Sequence, residues 1–192
     1  MIRKLTLVTF IVFGAATLLA GCIPLLIAAG AGGTALVVSD RRSAGAQVDD
    51  QAIELKIGNQ ARAQYGEGLH LNVTSYNGVV LLTGEVPDQV TGLAIGNMAR
   101  GTLKVRTVQN ELTVGGTTAM SERSRDTYLT SVVKSRFLDG SRFPANAVKV
   151  VTEKGVVYLM GVVSREEGEA AAQIASTTSG VARVVKVFEY RT

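Results

Sequence analysis

The chain has few side chains that could support covalent or metal chemistry. Cys22 is its only cysteine and His70 its only histidine, so the sequence offers no disulfide framework and no paired thiols for zinc. His70 falls in an alternating segment, which favours a half-exposed strand residue over a metal ligand. The remaining polar residues form no recognisable pair of nucleophile and base. We therefore expect no catalytic residues, no metal and no cofactor, and we do not expect an enzyme.

Cys22 follows a segment that is typical of export. Residues 1–4 read MIRK, residues 5–20 are apolar or small, and residues 19–22 read LAGC. A basic start followed by an apolar run predicts a secretory signal peptide. The LAGC segment resembles the lipobox of bacterial lipoproteins, which implies cleavage before Cys22 and acylation of its thiol and amine, palmitate included. Because each buried methylene contributes roughly 0.8 kcal/mol, several acyl chains would anchor the protein stably.

A membrane helix ending near Cys22 is the alternative, because residues 23–38 are also largely apolar. Pro24 and several glycines interrupt that stretch, and a basic pair at 41–42 lies on the side that a signal anchor would have to translocate. Ile23 follows the cysteine, whereas the enterobacterial sorting rule that comes with the lipobox uses Asp there for inner-membrane retention. The expected location is therefore the outer membrane, lipid-anchored and facing the periplasm.

The chain contains an internal repeat of one structural unit. Residues 78–86 read GVVLLTGEV and residues 155–163 read GVVYLMGVV, with six of nine positions identical. Each copy follows an alternating apolar segment, at 69–75 or 147–152, across an Asn-Gly or Lys-Gly pair. Two such segments joined by a tight-turn pair predict a β-hairpin.

Helical periodicity surrounds each hairpin. Apolar residues recur every four positions ahead of the hairpins, and Pro or Ser precedes the helical segments that follow them. The predicted helices are 50–64, 87–100, 126–138 and 165–178, and the predicted final strands are 105–114 and 181–190. A right-handed crossover then gives an α+β fold: each unit is α-β-β-α-β, with two helices on a mixed three-stranded sheet.

These patterns divide the chain into five parts. They are a lipoprotein signal peptide (1–21), the lipidated Cys with a flexible tether rich in Ala, Gly and Ser (22–48), a first domain (49–115), a linker (116–124) and a second domain (125–192).

The two units resemble BON domains, named for bacterial osmotic-stress and nodulation proteins. The GVVxLxG pattern carries the resemblance, and residues 39–50 and 157–161 narrow it to outer-membrane lipoproteins with two BON domains. The resemblance implies a protein that binds anionic phospholipid of the phosphatidylglycerol type through the first helix of its second BON domain. It also implies roles in envelope stress and integrity and in peptidoglycan remodelling at division sites, with outer-membrane assembly or septal amidase-activating proteins as possible partners. No nucleic-acid partner is expected.

The residues of the second unit agree with that implication. Residues 49–114 contain five Lys or Arg against seven Asp or Glu, whereas residues 121–192 contain eleven against eight. A basic surface favours anionic head groups, although a charge difference this small also suits an ordinary solvated face.

Two apolar residues of the helix at 126–138 point away from its predicted core stripe of Leu129, Val133 and Phe137. The predicted phospholipid-binding residues on that outward side are Tyr128, Ser131, Lys134, Ser135 and Leu138. Such a surface suits shallow insertion at a lipid interface. Two alternatives stay open: Tyr128 and Leu138 could pack against the first domain, or the same surface could serve as a protein–protein scaffold. Arg136 falls near the core stripe, so it either extends from its edge or shows that the helix phase is wrong.

Overall fold

The structure, a computed structural model, describes residues 40–66, 69–140 and 142–191, and Val38–Thr192 forms one compact unit. The predicted signal peptide, Cys22 and the tether up to residue 39 lie outside the described residues. Within the described part of the chain, no helix is long and apolar enough to cross a membrane.

The two predicted α-β-β-α-β units are present. The first contains α1 (Ala44–Tyr65), β1 (His70–Tyr76), β2 (Val79–Val86), α2 (Gln89–Arg100), β3 (Thr107–Asn110) and β4 (Thr113–Val114). The second contains α3 (Met120–Gly140), a 3-10 turn (Ala145–Ala147), β5 (Lys149–Glu153), β6 (Val156–Val163), α4 (Arg165–Ser176) and β7 (Arg183–Tyr190). In each unit the first two strands pair antiparallel and the last strand runs parallel to the second. The α+β fold with mixed sheets is confirmed.

The final strand of the first unit is interrupted, so the single strand expected over 105–114 is wrong. It forms two pieces, β3 and β4, which both pair with β2. The Asn110 side chain accepts a hydrogen bond from the Leu112 N–H at 3.2 Å. Such a local bond competes with the sheet ladder and ends β3 at Asn110.

Both hairpins close through the same device. Asn77 and Gly78 have φ values of 52° and 74°, and Lys154 and Gly155 have 50° and 72°, as a two-residue type I′ turn requires. The Asp50 carboxylate on α1 accepts hydrogen bonds from the N–H groups of Asn77 and Gly78 at 2.7 and 2.8 Å. Asp126 on α3 accepts from the corresponding N–H groups of the second turn, both at 2.8 Å. One buried aspartate per unit therefore ties the first helix to the hairpin.

Two helices begin earlier than expected, inside the predicted tether and the predicted linker. The tether predicted over 22–48 ends earlier, because Ser43 caps α1 by accepting from the Ala46 N–H at 3.1 Å. The linker predicted over 116–124 is shorter, because α3 already begins at Met120. Both extra helical segments have no fully buried residue and lack an apolar stripe, which is the signal that places a helix from sequence.

Each unit has its own apolar core between helices and sheet. In the first, Ile53 and Ile57 of α1 pack with Val80 and Leu82 of β2 and with Ile95 of α2. The second has an equivalent core, built from Val133, Phe137, Val157, Leu159 and Ala171.

The opposite faces of the two sheets pack on each other. A third buried cluster contains Tyr76 and Leu81 of the first unit with Tyr158 and Met160 of the second. β2 and β6 are therefore buried on both faces, which explains the apolar runs VVLL at 79–82 and VVYLM at 156–160. The described chain thus has four layers, helices, sheet, sheet and helices, and the outer helix faces remain available for partners.

Candidate membrane interface

The side of α3 that faces the domain core is the predicted one. Asp126, Leu129, Val133 and Phe137 are its buried residues. Tyr128 and Leu138 are 67% and 71% exposed. The five predicted residues, called the α3 outer face here, are all exposed: Tyr128, Ser131, Lys134, Ser135 and Leu138.

The alternative in which Tyr128 and Leu138 pack against the first domain is wrong. The two domains meet through their sheets, on the far side of the second sheet from α3. This arrangement leaves two large apolar side chains in solvent without an internal structural role. Exposed apolar groups grouped on one helix face are typical of an interaction surface.

Met120 extends this surface, and sequence reasoning missed it. Met120 is 72% exposed and lies eight residues before Tyr128 on the same helix. At about 100° per residue it falls on the same side of α3 as Leu138. The sequence pattern places Met120 in the linker, because the apolar stripe begins only further along the helix.

The polar residues of the face differ in their contacts. Ser131 donates to the Thr127 carbonyl oxygen at 3.0 Å, so its hydroxyl is satisfied within the helix. Within the described part of the chain, the Lys134 ammonium makes no hydrogen bond or ion pair. Lys134 is therefore the cation of this face, and it can meet an anion without breaking an existing contact.

Arg136 is explained by its contacts at the end of α4. Its guanidinium donates to the Ile174 carbonyl oxygen at 2.9 Å and to the Thr178 and Thr177 hydroxyls at 2.6 and 3.2 Å. A cation at a helix C-terminus is stabilised by the helix dipole and by free carbonyls. Arg136 thus extends from the edge of the core stripe, and the predicted helix phase is correct.

The end of the tether is fixed to the second domain. Arg41 forms a bidentate ion pair with Glu167, both N–O distances being 2.7 Å, and also donates to the Val162 carbonyl oxygen at 2.9 Å. Glu167 belongs to the capping box that begins α4 at Ser164. The Arg41 guanidinium lowers the pKa of Glu167 to about 2. The chain segment that leads back toward Cys22 therefore starts from a defined point on this domain.

Comparison with known proteins agrees with this architecture. The BON domain model matches residues 49–116 and 125–192. The chain belongs to the BON domain family. The outer membrane lipoprotein DolP of Haemophilus influenzae is 41% identical over 182 residues, covering 94% of each chain. The 21 kDa hemolysin of Actinobacillus pleuropneumoniae is 39% identical, covering 79% of each chain. Osmotically-inducible protein Y of Escherichia coli is 31% identical, covering 77% of this chain and 76% of that protein.

The similarity to DolP covers nearly the whole chain, from the export segment through both BON domains. The protein is accordingly an outer-membrane lipoprotein, anchored by lipid, with two BON domains. The BON-domain lipoproteins that it resembles are not enzymes.

A polar junction built on Glu85 joins the two BON domains. The buried Glu85 carboxylate accepts from the Thr118 N–H and hydroxyl at 3.0 and 2.5 Å and lies 2.8 Å from the Lys154 ammonium. His70 Nδ1 lies 2.7 Å away, and the His70 side chain is 12% exposed, less than the half-exposed position expected. His70, Glu85 and Glu153 are close enough to hold a metal ion, but the Lys154 ammonium already provides the compensating positive charge.

This junction predicts how stability depends on pH. Burial alone raises the pKa of Glu85, but hydrogen bonds from Lys154, Thr118 and His70 outweigh it and bring the value from 4.5 to about 2. Because the pKa of Glu85 is lower in the folded state than in the unfolded state, its ionised carboxylate stabilises the fold by about 3 kcal/mol. This stabilisation is complete at pH values above the ordinary pKa of Glu and is lost as the pH falls toward 2. In urea unfolding at pH 7 and pH 3, Glu85→Gln should therefore show a weaker pH dependence than the wild type. Glu169→Gln, on the surface, should keep the full dependence, and equal slopes for all three proteins would contradict this assignment.

Proposed function

We propose that this lipoprotein is a non-catalytic binding module in which the α3 outer face contacts anionic phospholipid. In this proposal it supports envelope integrity and peptidoglycan remodelling at the division site. One observation carries the proposal: Tyr128 and Leu138 lie exposed on either side of the unpartnered Lys134, on a helix face that the fold does not use. The resemblance to two-BON-domain lipoproteins supports the same lipid class.

The side chains of this face suit the boundary between head groups and acyl chains. A Tyr can bury its ring while its hydroxyl stays among head groups, and a Lys can keep its ammonium at the phosphate level. Met120 and Leu138 add apolar area along the same side of α3. Insertion would be shallow, as for an interfacial helix, because the opposite side of α3 belongs to the domain core.

The lipid anchor changes the affinity that this face needs. Once acyl chains on Cys22 hold the protein at the bilayer, binding by α3 becomes an intramolecular event with a high effective concentration. A weak preference for anionic lipid is then enough to bias where the protein resides in the membrane. The acidic first domain would stay away from the anionic surface.

Vesicle co-flotation of residues 38–192, which form one compact unit, tests the proposal without the anchor. The wild type should bind phosphatidylglycerol vesicles more strongly than phosphatidylcholine vesicles and should bind less at higher salt. Tyr128→Glu should reduce binding at least about ten-fold, because it removes a ring that would be buried in the bilayer and adds a charge that anionic head groups repel. Leu55→Glu is the matched control, since Leu55 is 66% exposed on the corresponding helix of the first domain. Equal binding of both lipids by the wild type would contradict the proposed selectivity.

The alternative is a scaffold for outer-membrane assembly or septal factors that uses the same surface. Exposed Tyr and Met side chains favour it, because these residues are enriched in protein interfaces. A photo-crosslinker at position 128 in growing cells separates the two functions. Adducts with protein would support the scaffold, whereas adducts with lipid would support the membrane contact.

A further inference from the structure

A shallow groove separates the two helices of the first domain on their outer side. This α1–α2 groove has a volume of about 530 Å³. It is lined by Gln60, Ala63, Gln64, Tyr65, Ala94 and Met98. α1 and α2 lie on one side of the first sheet, and the second domain packs on the other side. The groove therefore belongs to the outermost layer of the molecule, away from the contact between the domains.

The second domain closes the corresponding space with side-chain contacts. Arg136 of α3 occupies the position of Gln60 of α1, as the shared core stripes of the two helices show. Its guanidinium donates to the Ile174 carbonyl oxygen of α4 at 2.9 Å and so joins the two helices. In the described part of the first domain, no side-chain hydrogen bond joins α1 to α2. The open groove is thus a property of the first domain and not of the repeated fold.

The α2 wall of the groove is apolar. Val90, Ala94 and Met98 recur every four residues, so they lie in one row along the same side of α2. Val90 is 77% exposed, and Leu93, its neighbour on the outer surface of the helix, is 55% exposed. Large apolar side chains grouped beside a groove are typical of a surface that a partner covers.

The repeat shows that these exposed apolar residues are not needed for the fold. When α2 and α4 are aligned on their N-caps, Glu166 takes the position of Val90. Glu169 takes the position of Leu93 in the same way. Neither Val90 nor Leu93 belongs to the core of the first domain. The apolar pair therefore points to a contact outside the chain.

The charges around the groove have one sign. Residues 55–65 and 89–100 contain Lys56, Arg62 and Arg100 and no acidic residue, although the first domain as a whole is acidic. None of these three cations forms an ion pair in the described part of the chain. Lys56 lies one turn before Gln60, on the α1 wall. The complementary partner therefore carries carboxylates beside its apolar residues.

We propose that the α1–α2 groove binds an acidic amphipathic helix of a periplasmic protein. The apolar side of that helix packs on the row from Val90 to Met98, and its carboxylates meet Lys56 and the neighbouring arginines. At about 1.5 Å per residue this row is about 12 Å long, so the groove holds about two to three turns of the partner. The small side chains of Ala63 and Ala94 allow the partner backbone to approach closely.

The position of the groove favours a protein over a membrane as its occupant. The layers run in the order helices, sheet, sheet and helices, so the α1–α2 groove and the α3 outer face lie on opposite sides of the molecule. A bilayer that contacts the α3 outer face does not reach the groove, and this step alone rests on the proposed function. The groove thus gives the membrane-anchored chain a second, separate binding surface.

The test is an NMR titration of residues 38–192 with two synthetic helical peptides of about 18 residues, a length at which an isolated helix forms. The first peptide has Leu and Ala on one side and Glu on the other, and the second has Lys in place of every Glu. The Glu peptide should shift the amide signals of residues 60–65 and 90–98 and bind at least about ten-fold more tightly than the Lys peptide. Higher salt should reduce this difference. Equal binding of the two peptides, or shifts confined to other residues, would overturn the proposal.

Two substitutions at exposed positions separate recognition from folding. Val90→Glu, which introduces the residue type of α4, should weaken binding of the Glu peptide at least about ten-fold. Lys56→Glu should reverse the preference, so that the Lys peptide binds more tightly, a result that loss of structure does not produce. Leu55→Glu is the matched control, because Leu55 is 66% exposed on α1 outside the groove. It should bind both peptides like the wild type, and all three variants should keep the wild-type urea midpoint. An unchanged preference in Lys56→Glu would overturn the proposed charge recognition.

Vesicle flotation keeps this proposal distinguishable from the proposed function. Val90→Glu should float with phosphatidylglycerol vesicles like the wild type, and Tyr128→Glu should keep its peptide binding, because each residue lies on a different helix layer. Peptide binding without vesicle binding by the wild type would leave the groove standing and remove the lipid contact. Vesicle binding without peptide binding would do the reverse.

Crosslinking in growing cells tests the class of occupant. A photo-crosslinker in place of Ala94 should form adducts with a protein segment that carries acidic and apolar residues at helical spacing. Adducts with lipid, or between two copies of this chain, would overturn the proposed occupant.

Discussion

We expect Asp50→Ala to lower the free energy of unfolding by about 4 kcal/mol, which is a large part of the total stability of a small protein. The buried Asp50 carboxylate accepts hydrogen bonds from the Ser75 hydroxyl, the Asn77 and Gly78 N–H groups and Arg42. These bonds outweigh burial and lower its pKa. Alanine would leave several donors unsatisfied at once, two of them on a turn with strained φ values.

Asp126→Ala is the internal comparison for this effect. Asp126 occupies the same place in the second BON domain but accepts only the two turn N–H groups among the bonds described. Its replacement should cost about 2 kcal/mol, roughly half as much. Asp88→Ala, which removes an ordinary helix cap on α2, should cost about 1 kcal/mol. Urea unfolding at pH 7 measures all three, and an equal loss for Asp50→Ala and Asp88→Ala would contradict the role of the turn contact.

Local patterns predicted much of this fold. The hairpins followed from alternation and from the Asn-Gly and Lys-Gly pairs, and the right-handed crossover then determined the mixed sheets. The contact from Asp50 to the turn at Asn77 was not predictable in this way, because it joins residues far apart in the chain. The early start of α1 was missed because Ser43 begins an exposed turn with no apolar stripe.

Packing between the two sheets leaves a signal in the sequence of β2. Residues 79–82 of β2 read VVLL, so the first half of this strand is apolar on both of its faces. A continuous apolar strand is typical of a sheet that is covered on both sides, and Leu81 indeed faces the other domain. One unit considered alone predicts helices on one face and solvent on the other. The pairing of the two domains is a property of both sequences together.

The candidate site also has one part that the sequence predicts and one part that it does not. The exposure of the α3 outer face followed from helical geometry, since one apolar stripe determines what lies opposite it. A groove beside this face, lined by Arg42, Tyr76 and Lys134, could not be predicted, because these residues come from three separate parts of the chain.

Met160→Asp should have the second large effect, because it places a charge between the two sheets. Met160 is fully buried in the interdomain cluster with Tyr76, Leu81 and Tyr158. A buried, unpaired carboxylate costs several kcal/mol, so the domains should separate rather than accommodate it. The core of each domain does not include this cluster. Circular dichroism should therefore keep most helix and strand signal, while small-angle scattering should show a larger radius of gyration.

Separation of the domains should also reduce cooperativity, because each BON domain alone is small enough to be marginally stable. Urea unfolding of Met160→Asp should begin at lower denaturant and spread over two transitions, since each domain would then unfold by itself. Met98→Asp is the matched control, because Met98 lies on α2 outside the interdomain cluster and is partly exposed. A single transition and an unchanged radius for Met160→Asp would mean that the sheet contact is not what holds the two domains together. The salt bridges around it, such as Arg106 with Glu189, would then have to carry that role.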